Sequence, residues 1–135
     1  MNTPIQHINP DGLSKNPAFS QLVITHGPGR TAYIGGQNAW SPDGQMIGPG
    51  DIRLQTIQTM KNLETALQAC GGSFDNLVKL SIYIAQGQNF LEAYQAAQPF
   101  MAKAKNPPAI SALIVAGLGN PLFLIEIEAV AFLPG

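Results

Sequence analysis

The chain is short of charge, nearly free of cysteine and histidine, and holds no apolar run long enough to cross a membrane. Charged residues make up 11% of its 135 positions, where about 25% is usual. A monomer of this size needs more charge to keep its surface wet. Part of that surface is therefore expected to lie against other copies of the chain, as a homo-oligomer. The net charge is −1, and Lys15, Arg30, Arg53, Lys61, Lys79, Lys103 and Lys105 lie scattered rather than clustered. That argues against nucleic acid as a partner. The single cysteine, Cys70, excludes an intrachain disulfide. Its position at the apolar side of a predicted helix end favours packing over a reactive thiol. His7 and His26 are the only histidines; no Cys/His/Asp cluster has metal-ligand spacing, so neither a metal nor a cofactor is expected. The N-terminus has no basic stretch followed by an apolar one, and no membrane span is expected. The expected location is the cytoplasm.

What the chain does have is 45% hydrophobic residues in a length that suits one domain, residues 1–135. Its most apolar segment, residues 122–132, reads Leu-Phe-Leu-Ile-Glu-Ile-Glu-Ala-Val-Ala-Phe, and its Ile, Val and Phe content predicts a strand. Side chains alternate along a strand. Glu126 and Glu128 therefore share a face with Leu122, Leu124, Val130 and Phe132, while Phe123, Ile125, Ile127, Ala129 and Ala131 cover the other. A carboxylate among apolar neighbours is unfavourable unless paired, hydrogen-bonded or protonated. Two readings stay open: both glutamates are solvated or bonded to neighbouring groups, or one is a general acid/base lining a cleft.

Elsewhere the punctuation is clear. Residues up to about 20 read as a short strand plus loop. Residues 21–25 and 31–36 read as strands joined at Gly27-Pro28-Gly29-Arg30, a hairpin signal. Asp51 can cap a helix whose apolar stripe is Leu54, Ile57, Met60, Leu63, Leu67 and Cys70, stopped by Gly71-Gly72. Residues 77–85 alternate, with Val78, Leu80, Ile82 and Ile84 on one face, and predict a strand. Asn89 and Glu92 resemble a capping box opening a second helix. Pro99 should kink or restart that helix, and Asn106-Pro107-Pro108 ends it. Residues 110–116 and 122–132 are the last strands, separated by a loop at 117–121. The resulting order is α+β, with two helices on one face of a mixed sheet. The other sheet face would then need a partner subunit.

Several pieces in chain order resemble the pattern of the YjgF/RidA family, also called the endoribonuclease L-PSP-like family, over nearly the whole length. They are Phe19-Ser20-Gln21, Gly35-Gly36-Gln37, Asp51-Ile52-x-x-Gln55-Thr56, Asn62-Leu63, Leu77-Val78-Lys79, Asn89-Phe90, Pro108-Ala109-Ile110-Ser111 and Glu126-Ile127-Glu128-Ala129. The resemblance implies a chorismate-mutase-like protomer, a homotrimer around a central barrel of sheets, and small-molecule clefts between subunits. Deaminase members of the family hydrolyse 2-imino acids, or their enamine tautomers, to 2-keto acids and ammonia. That chemistry needs a planar cation to grip the substrate carboxylate and a carboxylate to position or deprotonate water. The family pattern places an arginine directly after Pro-Ala; here Ile110 stands there. Losing such a charge-assisted pair costs roughly 2–5 kcal/mol, or about two to four powers of ten in binding.

By the same resemblance Glu126 is the candidate catalytic carboxylate. Phe19, in place of a cleft-closing tyrosine, Gly36, Tyr94 and Ile110 are the candidate ligand-binding residues. Glu128 has no chemical role in the family pattern and reads as a buried structural carboxylate. Arg30 and Arg53 are the cations that could stand in for the missing arginine, though solvation is the favoured role of each. The function expected is a hydrolase or deaminase-type activity on an unidentified imine, enamine or amide. The alternative is a binding or regulatory trimer without chemistry. An RNA-cleaving role is disfavoured by the lack of a basic patch and of a histidine in a catalytic setting.

Overall fold

The computed structural model describes residues 3–135. Strands β1 (Ile5–Ile8), β2 (Leu22–Thr25) and β3 (Gly29–Gln37) precede helix α1 (Ile52–Ala69). A 3₁₀ turn (Phe74–Asn76) leads into β4 (Leu77–Ala85), followed by helix α2 (Phe90–Met101), β5 (Ala109–Val115) and β6 (Ile125–Pro134). The main sheet has the order β3-β6-β4-β5. β6 runs antiparallel to both neighbours, and β4 and β5 run parallel through α2, so the sheet is mixed.

Both helices start, and α1 stops, where their caps dictate, whereas α2 ends at Met101, short of the expected stop at Asn106-Pro107-Pro108. Asp51 Oδ1 accepts the Leu54 N–H at 3.0 Å, and Asn89 Oδ1 accepts that of Glu92 at 3.1 Å. α1 ends because Gly71 adopts φ +83°, which lets the Gly72 N–H reach Leu67 C=O at 2.8 Å and that of Gly71 reach Gln68 C=O at 3.0 Å. α2 runs through Pro99 to Met101 without the expected break. The proline sits in the last turn, where little helix remains to disrupt.

The core forms where Met60, Leu63 and Leu67 of α1 pack on Leu80, Ile125, Ile127 and Ala131, each no more than 1% exposed. The opposite sheet face is uncovered, and Tyr33 on it is 81% exposed.

Four local expectations need correction. The strands flanking Gly27 are not a hairpin: β2 pairs with β1 in a separate two-stranded sheet, and β3 pairs with β6. A turn motif sets a reversal of the chain, not its partner, and the apolar ladder of β6 offers β3 more burial. The last strand begins at Ile125 rather than 122, because Asn120 turns the chain first, its Oδ1 accepting the Leu122 N–H at 2.8 Å and its C=O that of Phe123 at 3.0 Å. In β4 an irregularity between Leu77 and Lys79 shifts the register, so Leu77 is buried and leads the inward face in place of Val78. In α1 the buried stripe opens with Ile52, Gln55, Thr56 and Thr59, while Leu54 is 48% exposed.

Candidate functional site

The sequence-predicted residues fall into two groups on opposite faces of the sheet. Ile125 and Ile127 point into the core, so the strand alternation turns Glu126 to the uncovered face, opposite Tyr83 of β4. β3 gains an extra residue there: Ile34 pairs with Ala129 but Gln37 with Ile127, leaving Gly35-Gly36 as a bulge. The bulge presses Gly36 against Glu126. A Cβ on Gly36 would lie 2.6 Å from Glu126 Oε2, so only glycine fits beside this carboxylate in its present position.

The carboxylate is held from behind. Asn38 Nδ2 donates to Glu126 Oε1 and to Ile125 C=O, both at 3.1 Å. Asn62 of α1 fixes that segment in turn by donating to Asn38 C=O and Trp40 C=O, each at 2.8 Å, and it accepts from Gln58 Nε2 at 2.9 Å. Sequence reasoning missed Asn38. Its only signal is a polar residue followed by Ala39-Trp40 just after the Gly-Gly-Gln motif.

Phe19, Tyr94 and Ile110 meet on the helix-covered face. They line a cavity of about 340 Å³ between α2, α1 and the sheet, whose floor includes Leu80, Ile125 and Ile127. Ser20 brings Phe19 there: its N–H donates to Pro108 C=O at 3.0 Å and its Oγ to Pro107 C=O at 2.6 Å, which docks the loop against the start of β5. Ile110 pairs with Leu80 across β4–β5 and so faces the cavity. Neither Glu126 nor Gly36 lines it.

A model of the family described as endoribonuclease L-PSP matches residues 12–133. The chain belongs to that family. It is 33% identical over 114 residues to a 2-iminobutanoate/2-iminopropanoate deaminase of Rattus norvegicus, covering 84% of this chain and 79% of that protein. It is 32% identical over 114 residues to a RutC family protein of Pyrococcus horikoshii, covering 84% and 86%. A solved structure of the Rid family protein YyfB from Yersinia pestis, described as of unknown function, superposes with a TM-score of 0.86 at 33% identity, over 97% of this chain and all (100%) of that one. The α+β fold with two helices and a mixed sheet is therefore that of Rid proteins.

In this L-PSP family chain neither spare arginine lines the cavity. Arg30 donates to Cys70 C=O at 3.3 Å; Arg53 bonds Gln95 Oε1 and lies 3.6 Å from Glu92 Oε1. Glu128, expected to be buried, is exposed in the protomer, where it accepts the Tyr83 hydroxyl at 2.7 Å. That bond raises the Tyr83 phenol above its usual pKa. Burial lowers His7, partly offset by Asp75. Among the described residues no group of His, Cys, Asp or Glu is arranged to hold a metal ion, and no helix is long and apolar enough to cross a membrane.

Proposed function

We propose that this L-PSP family chain acts as a homotrimer with its small-molecule site between subunits, and that the site is hydrolytic toward an imine, enamine or amide. The observation that carries the reading is the division of the family-matched residues. Phe19, Tyr94 and Ile110 line one cavity, while Gly36 and Glu126 meet on the far face of the sheet. The main sheet separates them in one copy; in this reading a second copy brings its carboxylate to the cavity mouth. Exposed Tyr33, Leu113 and Ile114, at 81%, 53% and 65%, supply apolar surface for that contact.

In such a site Glu126 takes a proton from water as the oxygen adds to the C=N carbon and the nitrogen is protonated. Collapse of the carbinolamine then releases a carbonyl compound and ammonia. Asn38 and Gly36 fix where the carboxylate stands. Deamination of 2-imino acids, the reaction named for the rat relative, is disfavoured here because Ile110 gives the substrate carboxylate no donor.

Sedimentation and an imine assay test this together. The protein is expected to sediment as a trimer at micromolar concentration and to leave the hydrolysis of 2-iminopropanoate generated in situ unaccelerated. Ile110→Arg is expected to gain roughly two to four powers of ten in carboxylate-dependent turnover, and Glu126→Gln in that background to remove the gain. A monomer, or a wild type as active as an arginine-bearing relative, refutes the reading. A trimer that binds ligands without chemistry is the second reading. It is favoured by the apolar lining around Ile110, and it would leave Ile110→Arg inactive.

A further inference from the structure

The accessible wall of the cavity divides by chemistry. Helix α2 turns Phe90, Tyr94, Ala97, Gln98 and Met101 toward it at spacings of three and four residues. Opposite them stand Ile82 of β4 and Ile110 and Ala112 of the edge strand β5. The polar side chains with accessible surface here, those of Asn16, Tyr94 and Gln98, all belong to residues exposed to solvent. The half-buried members, among them Phe19, Ile82, Met101 and Ile110, are all apolar. Thr56, the remaining polar member, is 0% exposed and offers a ligand no surface. Among the described residues no Lys, Arg, His, Asp or Glu lines the cavity. Its three rings, Phe19, Phe90 and Tyr94, pack on no other ring among those residues; the ring pairs are elsewhere, Trp40 with Phe123 and Phe74 with Phe100. An apolar cavity of about 150 Å³ holds a benzene molecule. This one, at about 340 Å³, has room for a ring with a short arm.

We propose that the cavity takes an uncharged molecule carrying one aromatic ring. The ring enters between the α2 aromatics and the wall of Ile82 and Ile110, and the arm carries the polar group out to the rim at Asn16, Tyr94 and Gln98. The proposal rests on the hydrolytic reading above and names the substrate class of that site. It is an aryl-bearing imine or amide, with the reacting carbon at the mouth, where that reading brings a second copy's carboxylate. A charge on the inner end of such a molecule would lose its water and meet no partner.

The test uses three probes: 3-phenylpropanamide, propanamide, and 3-(4-carboxyphenyl)propanamide, which adds a charge at the inner end. Binding is followed by NMR on protein labelled at the methionine methyls. Met101 lines the cavity, whereas Met46, bridged to Trp40, does not and serves as an internal control. 3-Phenylpropanamide is expected to shift Met101, leave Met46 unmoved, and bind roughly tenfold to a hundredfold tighter than propanamide, as burial of a phenyl ring predicts. The carboxylated probe is expected to lose that whole advantage. Ala97→Phe, which fills the space beside Tyr94, should bring 3-phenylpropanamide down to the level of propanamide; the comparison of the three probes on wild type stands whether or not this variant folds. If Met101 responds but the phenyl group gives no advantage, or the carboxylated probe binds as tightly as its parent, the ligand class is overturned and the cavity remains the site. If no probe moves Met101, class and site both fail. The N–H imine of acetophenone, which water converts to acetophenone and ammonia, separates the two readings. The expected binding without acceleration of that hydrolysis refutes the chemistry and upholds the ligand class.

Discussion

Adding one methyl group at Gly36 should loosen Glu126 and little else. Gly36 is not among the positive-φ glycines, so alanine brings no backbone strain there. On backbone entropy alone it would stabilise by about 0.4–1 kcal/mol. The new Cβ would stand 2.6 Å from Oε2, 2.8 Å from Cδ and 3.0 Å from Cγ of Glu126, whereas carbon contacts settle near 3.5–4.0 Å. The carboxylate must swing away by about 1 Å, which breaks its 3.1 Å bond from Asn38. A bond to a charged acceptor contributes about 1.5–3 kcal/mol, and the lower end applies because Glu126 is only half-buried. Gly36→Ala should therefore destabilise by roughly 0.5–1 kcal/mol in the native background. In a Glu126→Ala background the obstacle is gone, and the same change should stabilise by about 0.4–1 kcal/mol. The coupling in this double-mutant cycle is then about 1.5 kcal/mol. Urea unfolding of the four proteins at one fixed protomer concentration measures it, since oligomer stability varies with concentration. Additivity within about 0.5 kcal/mol would refute the argument, as would a large loss on Gly36→Ala in both backgrounds.

Three more outcomes follow from buried polar groups. Thr59 is 0% exposed with its Oγ1 unpartnered among the described residues, so Thr59→Val should stabilise by about 0.5–2 kcal/mol, read as a higher melting temperature. Gln55, also 0% exposed, bonds Gly48 C=O, Leu122 C=O and the Leu124 N–H. Gln55→Leu strands all three and should cost about 3 kcal/mol or more in chemical unfolding. Burial depresses His7 below its ordinary value of 6.5, so near that pH the unfolded chain binds more protons than the folded one. Its contribution to stability is present above pH 6.5 and is lost as the pH falls toward the folded value. Melting curves of wild type should show that loss, and those of His7→Gln a smaller one.

The elements that could be read from sequence are those whose apolar period and caps agree. Asp51 and Gly71 bracket α1, and Glu126 and Glu128 turn outward because Ile125, Ile127 and Ala129 turn inward. What could not be read depends on partners distant in sequence. The stripe of α1 includes Gln55, Thr56 and Thr59, which hydropathy places outside; Gln55 is inside because it bonds a loop nearly seventy residues away, at Leu122 and Leu124. The pairing of β2 with β1 was hidden for the same reason, as the turn at Gly27 says nothing about where β6 will lie. Of the candidate site, Phe19, Tyr94 and Ile110 share a cavity and Gly36 touches Glu126. That these form two groups on two faces became visible only with the sheet register.

The two bonds from Gln55 to Leu122 and Leu124, both 2.9 Å long, act as a mooring between the 117–121 loop and β6. Whatever happens upstream of Leu122 ends at that mooring, because β6 and the carboxylate of Glu126 are counted from it. The loop has room to vary: Gly117 and Gly119 have no atom within 4 Å of where a Cβ would stand. Residues can thus be gained or lost there without a slip in strand register, which would otherwise turn Glu126 into the core. Variation in this stretch is uncoupled from the position of Glu126 a few residues downstream, so the rim of the protein can change in length while the carboxylate stays in place.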